Sequence, residues 1–280
     1  MNNLGTLYIV ATPIGNLSDM THRAIDTLKM VDIIACEDTR TSAKLLNFFN
    51  IDTLTLAYHE HNADSQTQKL IDKLLGGQSV ALISDAGTPL VSDPGFRLVT
   101  AALENGILCV PVVGACAVIG ALQVAGLPSD KFSFLGFLPA KQTARQDFLQ
   151  NYKERSETLI FYEAPHRIVD SLADMVMIFG ENRVATLCRE LTKTFETVKK
   201  LPLNQLYKFV KNDLYQQKGE IVLVVAGNTK KTIVCDYDDW LLRIAKDLPP
   251  KKAVAIISDV LKIKKSDVYQ RYLELHDKKR

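Results

Sequence analysis

Residues 79–95 read SVALISDAGTPLVSDPG, an apolar run that ends in Ser84-Asp85 and passes through two successive glycine- and proline-containing turns. Gly87 has no Cβ, so a flat or adenosine-like ligand can approach its backbone closely. Thr88 adds a hydroxyl, Asp85 a carboxylate acceptor, and Pro89 sets the direction in which the chain leaves. Together they predict a rigid polar cup for a nucleotide-like molecule; the plainer alternative is a capped strand-to-helix turn. Four other apolar runs weigh toward the pocket. They end in Thr12-Pro13-Ile14-Gly15-Asn16, Glu37-Asp38-Thr39-Arg40, His59-Glu60-His61-Asn62 and Gly114-Ala115-Cys116.

Several common sites are disfavoured. A dinucleotide fingerprint needs three glycines after the first strand, and only Gly15 is there; the P-loop signature is absent. His59 and His61 stand two apart with no third ligand in view, so no metal is expected. Later in the chain, EAPHR (163–167) and CRELTK (188–193) each place an acid and an arginine after an apolar run. Singly, such residues are mostly solvated salt-bridge partners. Two such arginines facing one cleft would suit phosphate, which guanidinium grips in bidentate fashion.

The elements that must position these residues follow from hydrophobic pattern. Strands are expected at 7–11, 33–36, 54–58, 80–84 and 108–113. Helices between them are expected from a cap at Ser18 or Asp19, over 41–49, over about 64–75, and over 94–105 with Asp93 as cap. Continuous apolar strands alternating with helices predict a largely parallel sheet covered on both faces, and ligands gather at the carboxyl ends of such strands. GLPSDKF (126–132) marks a change of pattern. Beyond it, strands at 132–136, 158–162, 184–188 and 220–225, with helices at 142–152 and 166–178, predict a second α/β layer with a mixed sheet. Short helices at 240–245, 253–261 and 265–275 close the chain. The expected domains are 1–120, 121–228 and 229–280.

Composition is that of an ordinary globular protein, 47% hydrophobic and 24% charged. The five cysteines, Cys36, Cys109, Cys116, Cys188 and Cys235, form no CxxC pair. They suit reduced thiols in a cytosolic protein. LYIVA (7–11) is short and lacks a basic leader, so a signal peptide is not expected; no apolar window is long enough for a membrane span. Residues 229–280 hold 13 Lys and Arg against 8 Asp and Glu, and the rest of the chain 21 against 24. A basic appendage on a mildly acidic body fits a polyanionic partner or simply a solvated lysine-rich tail.

Eight motifs occur together: PIGNL (13–17), EDTR (37–40), HEHN (59–62), SDAGTPLVSDPG (84–95), GLPSD (126–130), GFLPAK (136–141), YEAPHR (162–167) and RELTKTFET (189–197). In order and spacing they resemble the ribosomal RNA small-subunit methyltransferase I family, within the tetrapyrrole methylase superfamily, over roughly residues 5–228. EDTR, YEAPHR and RELTK point to that branch rather than to the corrin and porphyrin enzymes. The resemblance implies two α/β domains with S-adenosylmethionine in the cleft between them and a small helical C-terminal extension. It also implies 2′-O-methylation of a cytidine in the decoding centre of small-subunit ribosomal RNA, free or in an assembled subunit, by a cytoplasmic homodimer with no membrane attachment.

Carried over by motif, Pro13, Ile14 and Gly15 match the first cofactor loop, and Ser84, Asp85, Gly87, Thr88 and Leu90 the second. Ala115, Cys116 and Ala117 match the start of the helix after the fifth strand. The family's usual Pro-Gly-Pro or Pro-Gly-x at that turn is here Val113-Gly114-Ala115, a less rigid sequence that keeps the glycine.

The implied reaction is displacement at a sulfonium methyl by a ribose oxygen, in which the protein supplies orientation and electrostatics. A proton acceptor would come from Glu37, Asp38, His59, Asp85 or Glu163. Asp85 is expected to serve the cofactor, which leaves Glu163 or Asp38 as the favoured catalytic residues, with direct loss to water as a further route. RNA contacts are expected from Arg40, His59, Lys141, Arg145, Arg167, Arg189 and Lys193, and from the segment 254–275 with Lys262, Lys264 and Lys265. A packing cap over the dimer is the plainer reading of that segment. The rival functions are a tetrapyrrole methyltransferase, against which the strand-end arginines and basic tail weigh, and a non-catalytic RNA-binding protein, against which the intact 84–89 loop weighs.

Overall fold

Five short apolar runs form the first sheet: β1 (Thr6–Val10), β2 (Ile33–Cys36), β3 (Leu54–Ala57), β4 (Val80–Ile83) and β5 (Leu108–Val112). Their order is β3-β2-β4-β1-β5, and every pairing is parallel. The intervening helices are α1 (His22–Met30), α2 (Thr39–Phe48), α3 (Ala63–Leu75) and α4 (Phe96–Glu104). The computed structural model describes residues 4–228, 237–261 and 263–277. Cys235 and Lys262 therefore lie outside the described residues.

The central strands read as unbroken apolar runs because each face of the sheet is covered. Ile33, Ala35, Val80 and Leu82 meet Leu70 and Leu74 of α3 and Leu98 and Ala102 of α4. The alternate residues Ile34, Cys36, Ala81 and Ile83 meet Ala24 and Leu28 of α1 and Leu46 of α2. Period-two alternation thus directs neighbours to opposite layers while both remain dry.

Two helix starts differ from expectation. Leu17–Asp19 forms a 3-10 turn capped by Asn16, and α1 is capped instead by Thr21, whose Oγ1 accepts from the Ala24 N–H at 3.1 Å. Helix α4 begins at Phe96 with Gly95 at its N-cap, φ 137°. A Cβ on Gly95 would fall 2.7 Å from Leu82 Cδ2, so glycine is required there. Asp93 is thereby not a cap.

Helix α5 (Ala117–Val124) follows β5 and packs its Val118 and Ala121 on the second sheet, beside Ile160, Val222 and Val224. That sheet contains β6 (Phe132–Phe137), β7 (Thr158–Glu163), β8 (Val184–Arg189), β9 (Thr197–Pro202) and β10 (Ile221–Val225), in the order β6-β7-β10-β8-β9. β6 and β7 are parallel and the other pairs antiparallel, so the sheet is mixed. Its far face is covered by α6 (Gln142–Gln150), α7 (Ile168–Phe179) and α8 (Leu203–Asn212).

β9 and α8 lie between the strands expected at 184–188 and 220–225, in a stretch for which hydrophobic pattern predicts no element. β9 reads TVKKLP and exposes its lysines, as an edge strand does, so its apolar signal is weak.

The chain divides into two compact units, Met1–Thr229 and Lys230–Arg280. The second contains α9 (Asp238–Asp247), α10 (Pro250–Leu261) and α11 (Lys265–Asp277). Tyr237, Leu241, Ala253, Ile257 and Val268 form its own small core, and Arg271 pairs with Asp238 at 2.6 Å. Among the described residues no helix is long and apolar enough to cross a membrane.

Candidate active site

The carboxyl ends of β1, β2 and β4 and the start of α5 meet the second sheet around a cleft of about 480 Å³. Thr12 and Gly87 lock two of its loops together. The Thr12 N–H donates to the Gly87 carbonyl at 2.8 Å, and the Gly87 N–H to the Thr12 carbonyl at 3.0 Å. Gly87 has φ 84°, and a Cβ there would sit 3.1 Å from Ile14 Cγ2, inside the space between the loops. Thr88 Oγ1 donates to the Ala115 carbonyl at 2.9 Å and so ties the same turn to the loop after β5.

Of the expected cofactor residues, Ile14, Asp85, Gly87, Thr88, Cys116 and Ala117 line the cleft. Pro13, Gly15, Ser84, Leu90 and Ala115 are not among its lining residues. Ser84 is buried, and Leu90 holds its turn at φ 73°. Gly15 lies under the aliphatic stem of Lys193, with a hypothetical Cβ only 2.4 Å from Lys193 Cγ. Gly114 packs on Ala11 closely enough that its own Cβ would be 3.0 Å from Ala11 Cβ. The glycine therefore serves close packing.

Electrostatically the cleft is acidic. Glu37, Asp85, Asp93, Glu163 and Glu220 line it, and among its described lining residues none is Lys, Arg or His. Burial, and then the charge of Asp85, raise Glu37 above the usual carboxylate range. Burial pushes Asp93 up to about 6, opposed by a hydrogen bond from Ser84 and assisted by the charges of Glu37 and Asp85. Tyr162 is likewise raised, chiefly by burial. It meets Phe137 edge-on at 5.3 Å between ring centroids, with Phe137 half-exposed at the rim. Tyr162, Phe137 and Glu220 are not among the site residues expected from the sequence, and Asp93 is expected there only as a helix cap. The doubled Ser-Asp of SDAGTPLVSDPG was the available signal for Asp93.

The two favoured proton acceptors are otherwise engaged. The Glu163 side chain is 0% exposed. One of its oxygens accepts from the Ala164 N–H at 2.7 Å and from Arg167 Nη2 at 2.7 Å, and the other accepts from the Ser171 hydroxyl. Asp38 caps α2, accepting from the Arg40 N–H at 2.8 Å, and pairs with the Arg40 guanidinium at 2.9 Å. These bonds lower Asp38 to about 2.

The expected RNA residues separate in the same way. Arg145 is 3% exposed and paired with Asp174 at 2.6 Å. Arg189 is buried, donating to the Phe195 carbonyl and to Gln216. Arg167 holds Glu163, and Lys193 bridges Glu190 and Glu220 at 2.8 and 3.0 Å. Arg40 is exposed beside Asp38. Lys141 is exposed and has no ion pair among the described residues. His59 is half-buried, with Nδ1 unpartnered and its ring 6.0 Å from that of His61. Among the described residues no cluster of His, Cys, Asp and Glu could hold a metal ion.

A family model described as Tetrapyrrole (Corrin/Porphyrin) Methylases matches residues 6–207, and one described as RsmI C-terminal HTH domain matches 234–276. Proteins named Ribosomal RNA small subunit methyltransferase I are similar over nearly the whole length. The one from Vibrio cholerae is 50% identical, covering 98% of this chain and 96% of its own. That from Pseudomonas aeruginosa is 50% identical, covering 98% and 99%. The chain belongs to this methyltransferase family.

Solved structures show the same fold at low identity. A diphthine synthase superposes with a TM-score of 0.61 at 15% identity, over 79% of this chain and 90% of that one. A uroporphyrin-III-C-methyltransferase from Thermus thermophilus gives 0.55 at 19%, over 79% and 94%. The chain is thus an S-adenosylmethionine-dependent methyltransferase with the two-sheet tetrapyrrole methylase fold and a helical C-terminal unit.

The cleft suits that cofactor. The Gly87 cradle, which a Cβ would fill, admits a flat nucleoside against Ile14, and the carboxylates of Asp85 and Asp93, with no ion pair among the described residues, suit a cation. When bound, S-adenosylmethionine supplies an electrophilic methyl on a positively charged sulfur. The chain's own part is to hold the loops rigid and present carboxylates.

Proposed function

We propose that the protein methylates the 2′-hydroxyl of a cytidine in the decoding centre of small-subunit ribosomal RNA. The observation that carries this reading is the similarity, at about half identity along nearly the full length, to proteins named for small-subunit ribosomal RNA methylation. The helix-turn-helix match over 234–276 supports a nucleic-acid substrate.

In this reading Ile14, Asp85, Gly87, Thr88, Cys116 and Ala117 face the cofactor, while Pro13, Gly15, Ser84, Leu90 and Ala115 fix the loops. A cleft lined by carboxylates repels phosphate, so a single ribose enters while its neighbours stay outside; the target leaves its stack to do so. Lys141, Arg40 and His59 contact the strand near the mouth, and exposed Phe137 offers a face on which a base can stack. The C-terminal unit adds basic residues such as Lys264 and Lys265. Arg145, Arg167, Arg189 and Lys193 leave the RNA path and become internal supports.

The strand-end arginines consequently no longer weigh against a tetrapyrrole substrate. Kinship and the helix-turn-helix unit do so instead. We further propose the domain limits 1–120, 121–228 and 229–280, and a cytoplasmic homodimer.

The test is to map ribose methylation in small-subunit RNA from cells with and without the gene, then to supply purified protein and labelled cofactor to free RNA and to assembled subunits. Loss of one 2′-O-methylcytidine, restored by the protein, is the expected result. An unchanged methylation map would overturn the reading.

A further inference from the structure

With Glu163 and Asp38 engaged elsewhere, the cleft has three carboxylates outside ion pairs: Glu37, Asp85 and Asp93. Two of these have backbone duties. Asp85 Oδ1 accepts from the Asp38 N–H at 3.3 Å, and Glu37 accepts from the Asp85 N–H. Asp93 is hydrogen-bonded by the Ser84 hydroxyl, which can rotate away.

The backbone around Asp93 is held under strain. Leu90 and Ser92 have φ 73° and 67°, and Gly95 has φ 137°. Side chains rarely occupy such angles unless the surroundings enforce them, and such residues cluster at functional sites. The result is that Asp93, displaced from the N-cap of α4, faces the cleft opposite Tyr162 of β7.

We propose that Asp93 accepts the proton of the substrate hydroxyl as its oxygen is methylated. The inference rests on methyl transfer to a hydroxyl, as proposed above. The O–H bond breaks and its proton passes to a carboxylate oxygen of Asp93. The new O–CH3 bond forms as the S–CH3 bond breaks, and the electron pair of the broken bond stays on sulfur. The proton leaves to solvent when the products depart.

The surroundings suit this task. The groups facing Asp93 are Glu37 and Asp85 from the first sheet, the Ser84 hydroxyl, Tyr162 and Glu220 from the second sheet, and Cys116 at the start of α5. Of these, Glu220 is neutralised by Lys193. Burial, assisted by negative neighbours, raises the carboxyl to about 6, closer to the operating pH at which a general base is most effective. A sulfonium bound in the same cleft favours its ionised form.

Two measurements test the proposal, with Asp93→Asn and Asp93→Glu as variants. Calorimetry of S-adenosylmethionine binding near pH 6, in buffers of different ionisation heat, is expected to show proton release in the wild type. Release should be much smaller for S-adenosylhomocysteine and absent in D93N, which should bind S-adenosylmethionine about fivefold or more weakly and S-adenosylhomocysteine about as well as the wild type. Methyl transfer to small-subunit RNA is expected to fall about 100-fold or more in D93N. Its kcat/KM for S-adenosylmethionine should also lose the acid limb near pH 6, and D93E should recover part of the rate. Undiminished proton release in D93N, or an acid limb that survives the substitution, would overturn the proposal. If the wild type modifies no RNA ribose, the substrate reading fails by itself, and the calorimetry still decides whether Asp93 faces the cofactor's charge.

Discussion

Thr12 and Gly87 exchange both backbone hydrogen bonds across the ends of β1 and β4, a two-residue antiparallel bridge on an otherwise parallel sheet. The bridge fixes the loop carrying Ile14 against the loop carrying Asp85. Gly87→Ala places a Cβ at φ 84° and 3.1 Å from Ile14, a strain of about 1–2 kcal/mol. The expected outcome is a folded protein with a slightly lower Tm and roughly tenfold weaker cofactor binding by calorimetry.

Glu163 accepts hydrogen bonds from Arg167, Ser171 and the Ala164 N–H. Glu163→Ala leaves the Arg167 guanidinium without its buried partner and is expected to cost about 3–5 kcal/mol of stability. Glu163→Gln should cost less and leave the shape of the pH–rate profile unchanged. Chemical denaturation and a pH series measure the two effects separately.

Arg145 and Lys141 lie four residues apart and should behave oppositely. Arg145→Ala strands Asp174, and about 3–5 kcal/mol of stability should be lost with no change in the salt dependence of RNA binding. Lys141→Ala should leave the Tm alone and lower the slope of log affinity against log salt by about one. Titrations at several salt concentrations distinguish them.

Phe137 offers its ring at the mouth of the cleft, braced by Tyr162. If a base stacks there, Phe137→Ala should weaken RNA binding by about 1–3 kcal/mol and leave cofactor affinity intact. Equal RNA affinity in the variant would remove the stacking assignment.

Asp93 also predicts how stability changes with pH. Its folded value, about 6, lies above the ordinary 3.8. The folded state therefore holds this proton more tightly than the unfolded chain. Its contribution is most favourable below about 4 and is lost as pH rises through 6. Without cofactor, the Tm of wild type relative to D93N should fall between pH 4 and 7, and added S-adenosylmethionine should reduce that difference.

Much of the architecture was readable from short-range pattern. Unbroken apolar runs at 33–36 and 80–83 can be stable only with both faces covered, which dictates helices on each side and functional loops at the strand ends. The eight motifs identified the family, because loop residues near a ligand leave little room for alternatives. Which polar residues remain available is a different matter, since it depends on partners far away in the chain. Arg145 meets Asp174, Arg189 meets Gln216, and Lys193 meets Glu220, each through folding of the second sheet and its helices. No local pattern encodes those pairings. The same holds for Asp93: a glycine 2.7 Å from Leu82 in terms of its hypothetical Cβ moves the helix start two residues on and leaves the carboxylate facing the cleft. Sequence named the chemical groups, and long-range packing decided which of them are free to act, because a charge buried with a partner has already spent its interactions there.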